Sequence, residues 1–519
     1  MESFLENARF LETEIINFFI KKKGGKMKRF WLVLLSLSLV MAFTVSAYAV
    51  DVKVGADYYV GGLYLNKTAV WDNLTYLDGF YNPSGHFVPG RSYYYLMPQQ
   101  PSTAFFYQDL RVGIDFIVSP CLKLVTQFDA MERIWGGARS DVDVPDARGA
   151  GTRAEAENIS MRQIHVDYTS PIGLFKVGYM EDFVFGTVFA DRASGPTSGQ
   201  IQYFIEKGPF TGFIGYAKEV DNSASAVTSS AVTDNDLDSY RIAGIYKFKG
   251  GEAGALFLWN RDATNKPLST TDGPFLSNVY VIDPYVKAKI GPVALQAEAQ
   301  YWFGDAYKWE NGITESNVSV NALSLFVDAT ADFGMFYAGG SFAYLSGQNP
   351  NKTDTVTGGI NTGGLDWNPC LILFNQDLNY WAGTVYGFDG SALNGEMSNA
   401  WFGQLRAGVK PTPQLDVMLA VSYAAADQKP NITYLSVHPS VPTYTRSFTG
   451  STYGTEIDLT GTYKITKNLS YMLGIGYLFT GDYFKGTENG KIGHFPDQTG
   501  LPNKIDNDFI IMNKLILSF

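Results

Sequence analysis

Residues 454–465 read Gly454-Thr-Glu-Ile-Asp-Leu-Thr-Gly-Thr-Tyr-Lys-Ile465. Ile457, Leu459, Tyr463 and Ile465 share one parity, and Glu456, Asp458, Thr460, Thr462 and Lys464 share the other. Successive side chains of an extended chain point to opposite faces, so this stretch is a strand with one apolar and one polar side. The pattern recurs in 104–118, where Phe106, Leu110, Val112, Ile114, Phe116 and Val118 oppose Tyr107, Asp109, Arg111, Gly113 and Asp115. It recurs in 293–301, where Val293, Leu295, Ala297, Ala299 and Tyr301 oppose Gln296, Glu298 and Gln300. No helix-period stretch of any length appears after residue 50.

Between the strands, very short and very long connections alternate. The short ones are Ser119-Pro120-Cys121, Ser170-Pro171-Ile172-Gly173, Lys207-Gly208-Pro209, Lys249-Gly250-Gly251, Gly291-Pro292, Asp332-Phe333-Gly334, Lys410-Pro411-Thr412-Pro413 and Thr466-Lys467-Asn468. Gly, Pro and Asn supply the backbone angles of tight hairpins. The long ones fall near 68–101, 136–158, 183–198, 221–236, 261–277, 304–317, 347–398, 428–451 and 483–506. Eight turns and nine loops separate eighteen strands, an even number that returns the chain to the side where it began. The fold class expected is all-β, a transmembrane up-and-down antiparallel barrel of about eighteen strands, with short periplasmic turns and long extracellular loops. Tyr168, Tyr179, Phe210, Phe248, Tyr301, Phe333, Tyr463 and Phe479 sit near strand ends, the level at which amphipathic rings meet lipid headgroups.

Composition agrees with that class. Aromatics make up 15% of 519 residues, charged residues only 18%, and mean hydropathy is −0.06, too polar for a helical membrane protein and fitting a wall with one apolar and one polar face. Lys28 and Arg29, the apolar run Phe30 to Val45 and the Ala47-Tyr48-Ala49 site form a signal peptide over 27–49. The mature barrel is then 50–519. Residues 1–26, which end in Lys23-Gly24-Gly25-Lys26 directly before Met27, read as a mis-called extension. Removing the seven basic and four acidic residues of 1–49 from totals of 40 and 51 leaves 33 and 47, a net charge of −14. That balance disfavours nucleic acid as a partner. Cys121 and Cys370 fall on opposite sides of the membrane in this topology. A disulfide needs Cα atoms within about 7 Å, so no bond is expected.

The chain ends Phe509-Ile-Ile-Met-Asn-Lys-Leu-Ile-Leu-Ser-Phe519, with Leu515, Leu517 and Phe519 on one face. This looks like the assembly signal of bacterial outer-membrane proteins that the barrel-insertion machinery reads. The whole mature chain resembles the outer-membrane porins, and its strand number is similar to that of the sugar-specific porins and the alginate-export barrels. The resemblance implies a wall set in outer-membrane lipid and lipopolysaccharide, passage of small hydrophilic solutes or ions, and no cofactor. Both a monomer and a homotrimer fit this length. No family-unique motif transfers a substrate.

Strand parity places Asp109, Arg111, Asp115, Lys123, Gln127, Asp129, Arg133, Arg241, Lys247, Lys287, Lys289, Glu298, Asp328, Arg406, Asp416, Glu456, Asp458 and Lys464 on the inner, pore-lining face. Opposite charges across a constriction order water and favour polar solutes. In many porins the third long loop narrows the pore, which makes Glu181, Asp182, Asp191 and Arg192 constriction candidates; the alternative is a surface loop. The 347–398 loop carries an apolar centre at Trp367, Cys370 to Phe374 and Tyr380-Trp381. Such a patch packs on something, either in the pore or against neighbouring loops or a second subunit. Arg111, Arg133, Arg241 and Arg406 would also suit export of an acidic polysaccharide, and a sheath around a redox partner is a further alternative. An enzyme is not expected: His86, His165, His438 and His494 join no H-E-x-x-H, and there is no C-x-x-C or phosphate-binding Gly loop. No metal site is expected either.

Overall fold

The computed structural model describes residues 50–70, 75–78, 93–96, 102–136, 159–191, 197–222, 235–266, 274–310, 316–359, 367–385, 392–429, 431–434, 444–447, 450–485 and 505–519. The expected signal peptide and extension, Arg192, His86, His438 and His494 lie outside these residues.

Eighteen strands form one closed antiparallel wall. They are β1 Asp51–Leu65, β2 Thr103–Ser119, β3 Leu122–Ile134, β4 Ile159–Ser170, β5 Gly173–Glu181, β6 Thr197–Lys207, β7 Phe210–Val220, β8 Leu237–Phe248, β9 Gly251–Asp262, β10 Phe275–Ile290, β11 Val293–Trp309, β12 Val318–Asp332, β13 Phe336–Leu345, β14 Ala400–Thr412, β15 Leu415–Ala426, β16 Thr452–Lys464, β17 Leu469–Thr480 and β18 Asp508–Ser518. Each pairs with its sequence neighbours, and β1 closes the ring by pairing with both β2 and β18. At that seam Leu515 faces Val60 and Leu517 faces Tyr58. The Phe519 carbonyl accepts the Ala56 N–H at 2.9 Å, and the Phe519 N–H donates back at 3.0 Å. The C-terminal residues therefore pair β1 from Ala56 to Leu65 and close the ring. In hydrocarbon an unpaired backbone polar group costs several kcal/mol, so closure is a condition of spanning.

All eight short and all nine long connections recur in the expected order, with bounds shifted in places: the strand expected to end before 304 runs to Trp309, and the one expected to end before 410 runs to Thr412. Gly208 and Gly291 take φ of 60° in two of the tight turns, a left-handed conformation that L side chains rarely adopt. Long loops carry two small hairpins, Thr75–Asp78 with Tyr93–Leu96 and Asn431–Tyr434 with Tyr444–Ser447. They also carry the short strand Thr355–Val356 and the helix α1, Gln376–Ala382. Among the described residues no helix is long and apolar enough to cross a membrane; strands cross it.

The two faces differ sharply. On β16, Ile457 and Leu459 are exposed, whereas Glu456 and Asp458 are buried. The outer face carries a belt of Val, Ile, Leu and Phe, and all eight strand-end aromatics named above are exposed on it. That arrangement is inside out for a water-soluble protein and right for a wall bathed in lipid. The core lies within the ring, where apolar side chains of the wall meet two segments that enter it. Cys121 is exposed, Cys370 is buried and both are free thiols.

The outer belt generates a stability prediction. Ile242 is exposed at the middle of β8. Ile242→Arg should cost about 2–4 kcal/mol in reversible urea unfolding from lipid vesicles, with Ile242→Leu near neutral. A loss under about 0.5 kcal/mol would argue that lipid does not contact this face.

Candidate functional site

The inner wall from β2 to β8 carries two groups of opposite charges, with the glutamines of β6 between them. Arg111 donates to Asp129 at 2.8 and 3.3 Å. Asp129 also accepts from Arg162 at 3.1 Å, and Arg162 in turn donates through Nε to Glu181 at 3.1 Å. Gln163 bridges Gln127 and Glu181. Further round, Arg241 pairs with Asp182 and with Glu219, the latter at 3.0 Å. Closer to the short turns, Lys123 lies 3.2 Å from Asp115 and 3.4 Å from Asp167, and His165 Nε2 lies 3.1 Å from Asp167. On the far wall Arg406 donates to Asp328 at 2.8 Å and to Ser341 at 2.8 Å. Asp416 accepts from Tyr337 at 2.8 Å. Lys287 Nζ stands 5.4 Å from the Tyr285 ring centre. Lys247, Lys289 and Lys464 are exposed near the short-turn ends of their strands. Asp109 is buried beside this network.

Two bulges exchange arginines between the faces. Met131 adopts φ of 57°, and the β2–β3 register slips there, so that Gln108 faces Arg133 and Tyr107 faces Ile134. Tyr107 and Ile134 belong to the interior core. Arg133 therefore falls on the outer parity with Gln108, not on the inner face where unbroken alternation put it. In β4, Gln127 faces Gln163 while Phe128 faces Met161, and Arg162 is the extra residue between them. The bulge turns Arg162 inward, where it joins Asp129 and Glu181. Simple parity counts Arg162 as outward, which is why the sequence pattern missed it. A bulge inserts one residue and reverses every side chain beyond it.

The third long loop enters the ring. Phe183 and Phe185 pack on Phe204, Phe213 and Tyr285 of the wall. Its tip closes around Glu298 of β11, which is 3% exposed. That carboxylate accepts from the N–H groups of Thr187, Val188 (2.7 Å), Phe189 (3.0 Å) and Ala190 (2.8 Å), and from the Thr187 hydroxyl (2.7 Å). Hydrogen bonds to a charged group are worth about 1.5–3 kcal/mol each. Five of them outweigh the ordering of four residues at about 1–2 kcal/mol each. Gly186, with φ of 75°, lets the turn form; a Cβ there would strike the Glu298 carboxylate at 2.6 Å. Asp191 ends the described part of the loop.

The apolar centre of the 347–398 loop also lies inside. Trp381 stacks on Tyr107 with ring centres 4.5 Å apart. Tyr380 donates to Glu132, and Lys514 of β18 pairs with Asp377 at 2.9 Å. Asn375 caps α1 by accepting from the Leu378 N–H. Upstream, Ile372 and Leu373 donate their N–H groups to the two oxygens of Glu456 at 2.6 and 2.8 Å, and Leu371 donates to Asp458 at 3.3 Å. Gly476 makes the room, since a Cβ there would lie 3.1 Å from Leu371 Cβ. Phe189 and Trp367 meet edge to face at 6.0 Å, so the two inserted segments touch. The open choice between pore and outside is thus settled for 367–385. Burial pushes the Cys370 thiol up, and Glu456 and Asp458 beside it act in the same direction.

No family model matches this chain, and no curated protein matches it. Among solved structures it is similar to the outer membrane protein opdK from Pseudomonas aeruginosa, at 12% identity and a TM-score of 0.43, covering 90% of this chain and 99% of that one. It is similar to a BenF-like porin from Pseudomonas fluorescens Pf-5, at 10% identity and 0.43, covering 90% and 99%. It is also similar to the outer membrane channel DcaP of Acinetobacter baumannii, at 12% and 0.39, covering 91% and 99%.

The burial of the inserted segment is testable with the two native thiols. In the folded, detergent-solubilised protein a maleimide should label Cys121 and leave Cys370 unmodified until denaturant is added. Equal labelling rates in the native state would contradict the placement of 367–385.

Proposed function

We propose that this chain is an outer-membrane porin, a passive diffusion channel for small hydrophilic solutes or ions. The observation that carries the proposal is the belt of alternating charges along the inner wall, beside a loop that Glu298 holds within the ring. Buried ion pairs of this density are costly in a sealed apolar core, and they suit a wall that water reaches. Glu181 and Asp182, at the root of the third loop, and the arginines Arg111, Arg162 and Arg241 would form the constriction. Solutes would move down their gradients with no cofactor. The surroundings would be outer-membrane lipid and lipopolysaccharide, reached by way of a signal peptide at 27–49 and the barrel-insertion machinery reading Leu515, Leu517 and Phe519.

Two features bear on the alternatives. Arg111, Arg241 and Arg406 each carry a carboxylate partner, which leaves little free positive charge for an acidic polymer. The apolar core that 367–385 builds inside the ring favours a narrow pore, and a fully plugged structural barrel is the second reading.

Purified protein in a planar bilayer should give stable ion-conducting steps. Glu298→Ala removes the loop's anchor and should raise both single-channel conductance and its noise. Replacing 367–397 with a short Gly-Ser linker should raise conductance further. Silence from the wild type with conduction by the linker variant would favour the plugged barrel. Silence from all three would reject the channel.

A further inference from the structure

Three potential ligand groups, one thiol and two carboxyl groups, meet where the inserted segment rests on the wall. Cys370 Sγ, one oxygen of Glu456 and one of Asp458 lie within 4.8 Å of one another, and all three residues are buried. Anchoring the segment explains part of this cluster. The N–H groups of 371–373 use both oxygens of Glu456 and one of Asp458. It does not explain the rest. Asp458 is 4% exposed, and its Oδ1 has no hydrogen-bond partner. Among the described residues neither carboxyl group forms a salt bridge. Glu298, which anchors the third loop, belongs to no such cluster among the described residues.

We propose that Cys370, Glu456 and Asp458 form a site for one divalent cation of the zinc class, which ties the inserted segment to the barrel wall. A thiolate selects borderline ions such as zinc, cobalt and cadmium over magnesium and calcium. Zinc takes sulfur at about 2.3 Å and carboxylate oxygen at about 2.0–2.2 Å. Ligands at tetrahedral corners then stand about 3.3–3.6 Å apart, so the cluster closes with side-chain rotations of about an ångström. The Ser422 hydroxyl, within hydrogen-bond reach of the thiol, borders the fourth position. A thiolate and two carboxylates carry three negative charges. One divalent ion leaves a single negative charge, which faces the N–H donors of 371–373. Binding displaces the thiol proton, because the thiolate is the ligand.

The site does not depend on the barrel conducting, and its test reads the ion directly. Full-length protein, stripped with chelator and reductant, is titrated with cadmium(II) or cobalt(II). A sulfur-to-cadmium charge-transfer band in the ultraviolet, and cobalt bands in the visible, should saturate at one ion per chain. Cys121→Ser should keep both signals and Cys370→Ser should lose them. Asp458→Asn, which keeps the side chain's shape, should weaken binding about tenfold or more. Bound ion should also protect Cys370 from alkylation in mild denaturant while Cys121 stays reactive, a readout that needs no variant to fold. No charge-transfer band in the wild type, a band that follows Cys121, or no protection of Cys370 would overturn the proposal and leave the carboxyl groups as hydrogen-bonding anchors of the segment only.

Discussion

The structure depends on one constraint: in hydrocarbon every backbone N–H and C=O has to find its partner within the protein. A sheet meets that demand only when its first and last strands join. Here they join through the β1–β18 ladder, ending in the reciprocal pair between Ala56 and Phe519. Once the ring is closed, its two faces meet different surroundings, and a two-residue period divides the side chains between them. The outer belt follows from lipid. The inner carboxylates, arginines and glutamines follow from the space that closure encloses.

That enclosed space lets acidic residues take two roles. Asp129, Asp182, Glu181 and Asp328 each pair with a guanidinium group of another strand and make a belt of paired charge. Among the described residues Glu298 and Glu456 form no ion pair; each receives a run of backbone N–H groups from a segment that has folded into the ring. Consecutive amides of an irregular segment would otherwise lack partners once buried. A buried carboxylate with two acceptor oxygens answers both needs at once. Glu298 thus holds the third loop, Glu456 and Asp458 hold the second segment, and aromatic contacts complete both. The segments then touch through Phe189 and Trp367.

Strand number, turn positions and the outward aromatics were legible in the sequence because each is a local signal. Alternation needs only neighbours, and a tight turn needs only its Gly or Pro. The register slips at Met131 and Arg162 were not legible. Neither residue advertises a bulge, and the slip exists only against the partner strand. Arg133 was therefore expected inside and Arg162 went unnoticed. Glu298 and Glu456 could be assigned to the inner face from parity alone. Their partners lie 108 to 111 and 83 to 84 residues away in the chain, and no periodicity connects such positions. The apolar centre at 370–374 and 380–381 was visible as a patch that had to be covered. What covers it, Tyr59, Tyr107 and Met512 of three different strands, depends on closure of the whole ring.

A membrane-spanning wall requires that side chains divide between lipid and the interior in strict alternation. Nitroxide labels carried one at a time at positions 239–247 of β8, in a Cys121→Ser, Cys370→Ser background reconstituted in lipid, read that division by electron paramagnetic resonance. Collision with lipid-dissolved oxygen should peak at 240, 242, 244 and 246 and fall at the positions between. Uniform protection along the strand, or peaks at the odd positions, would contradict a membrane-spanning wall with this register.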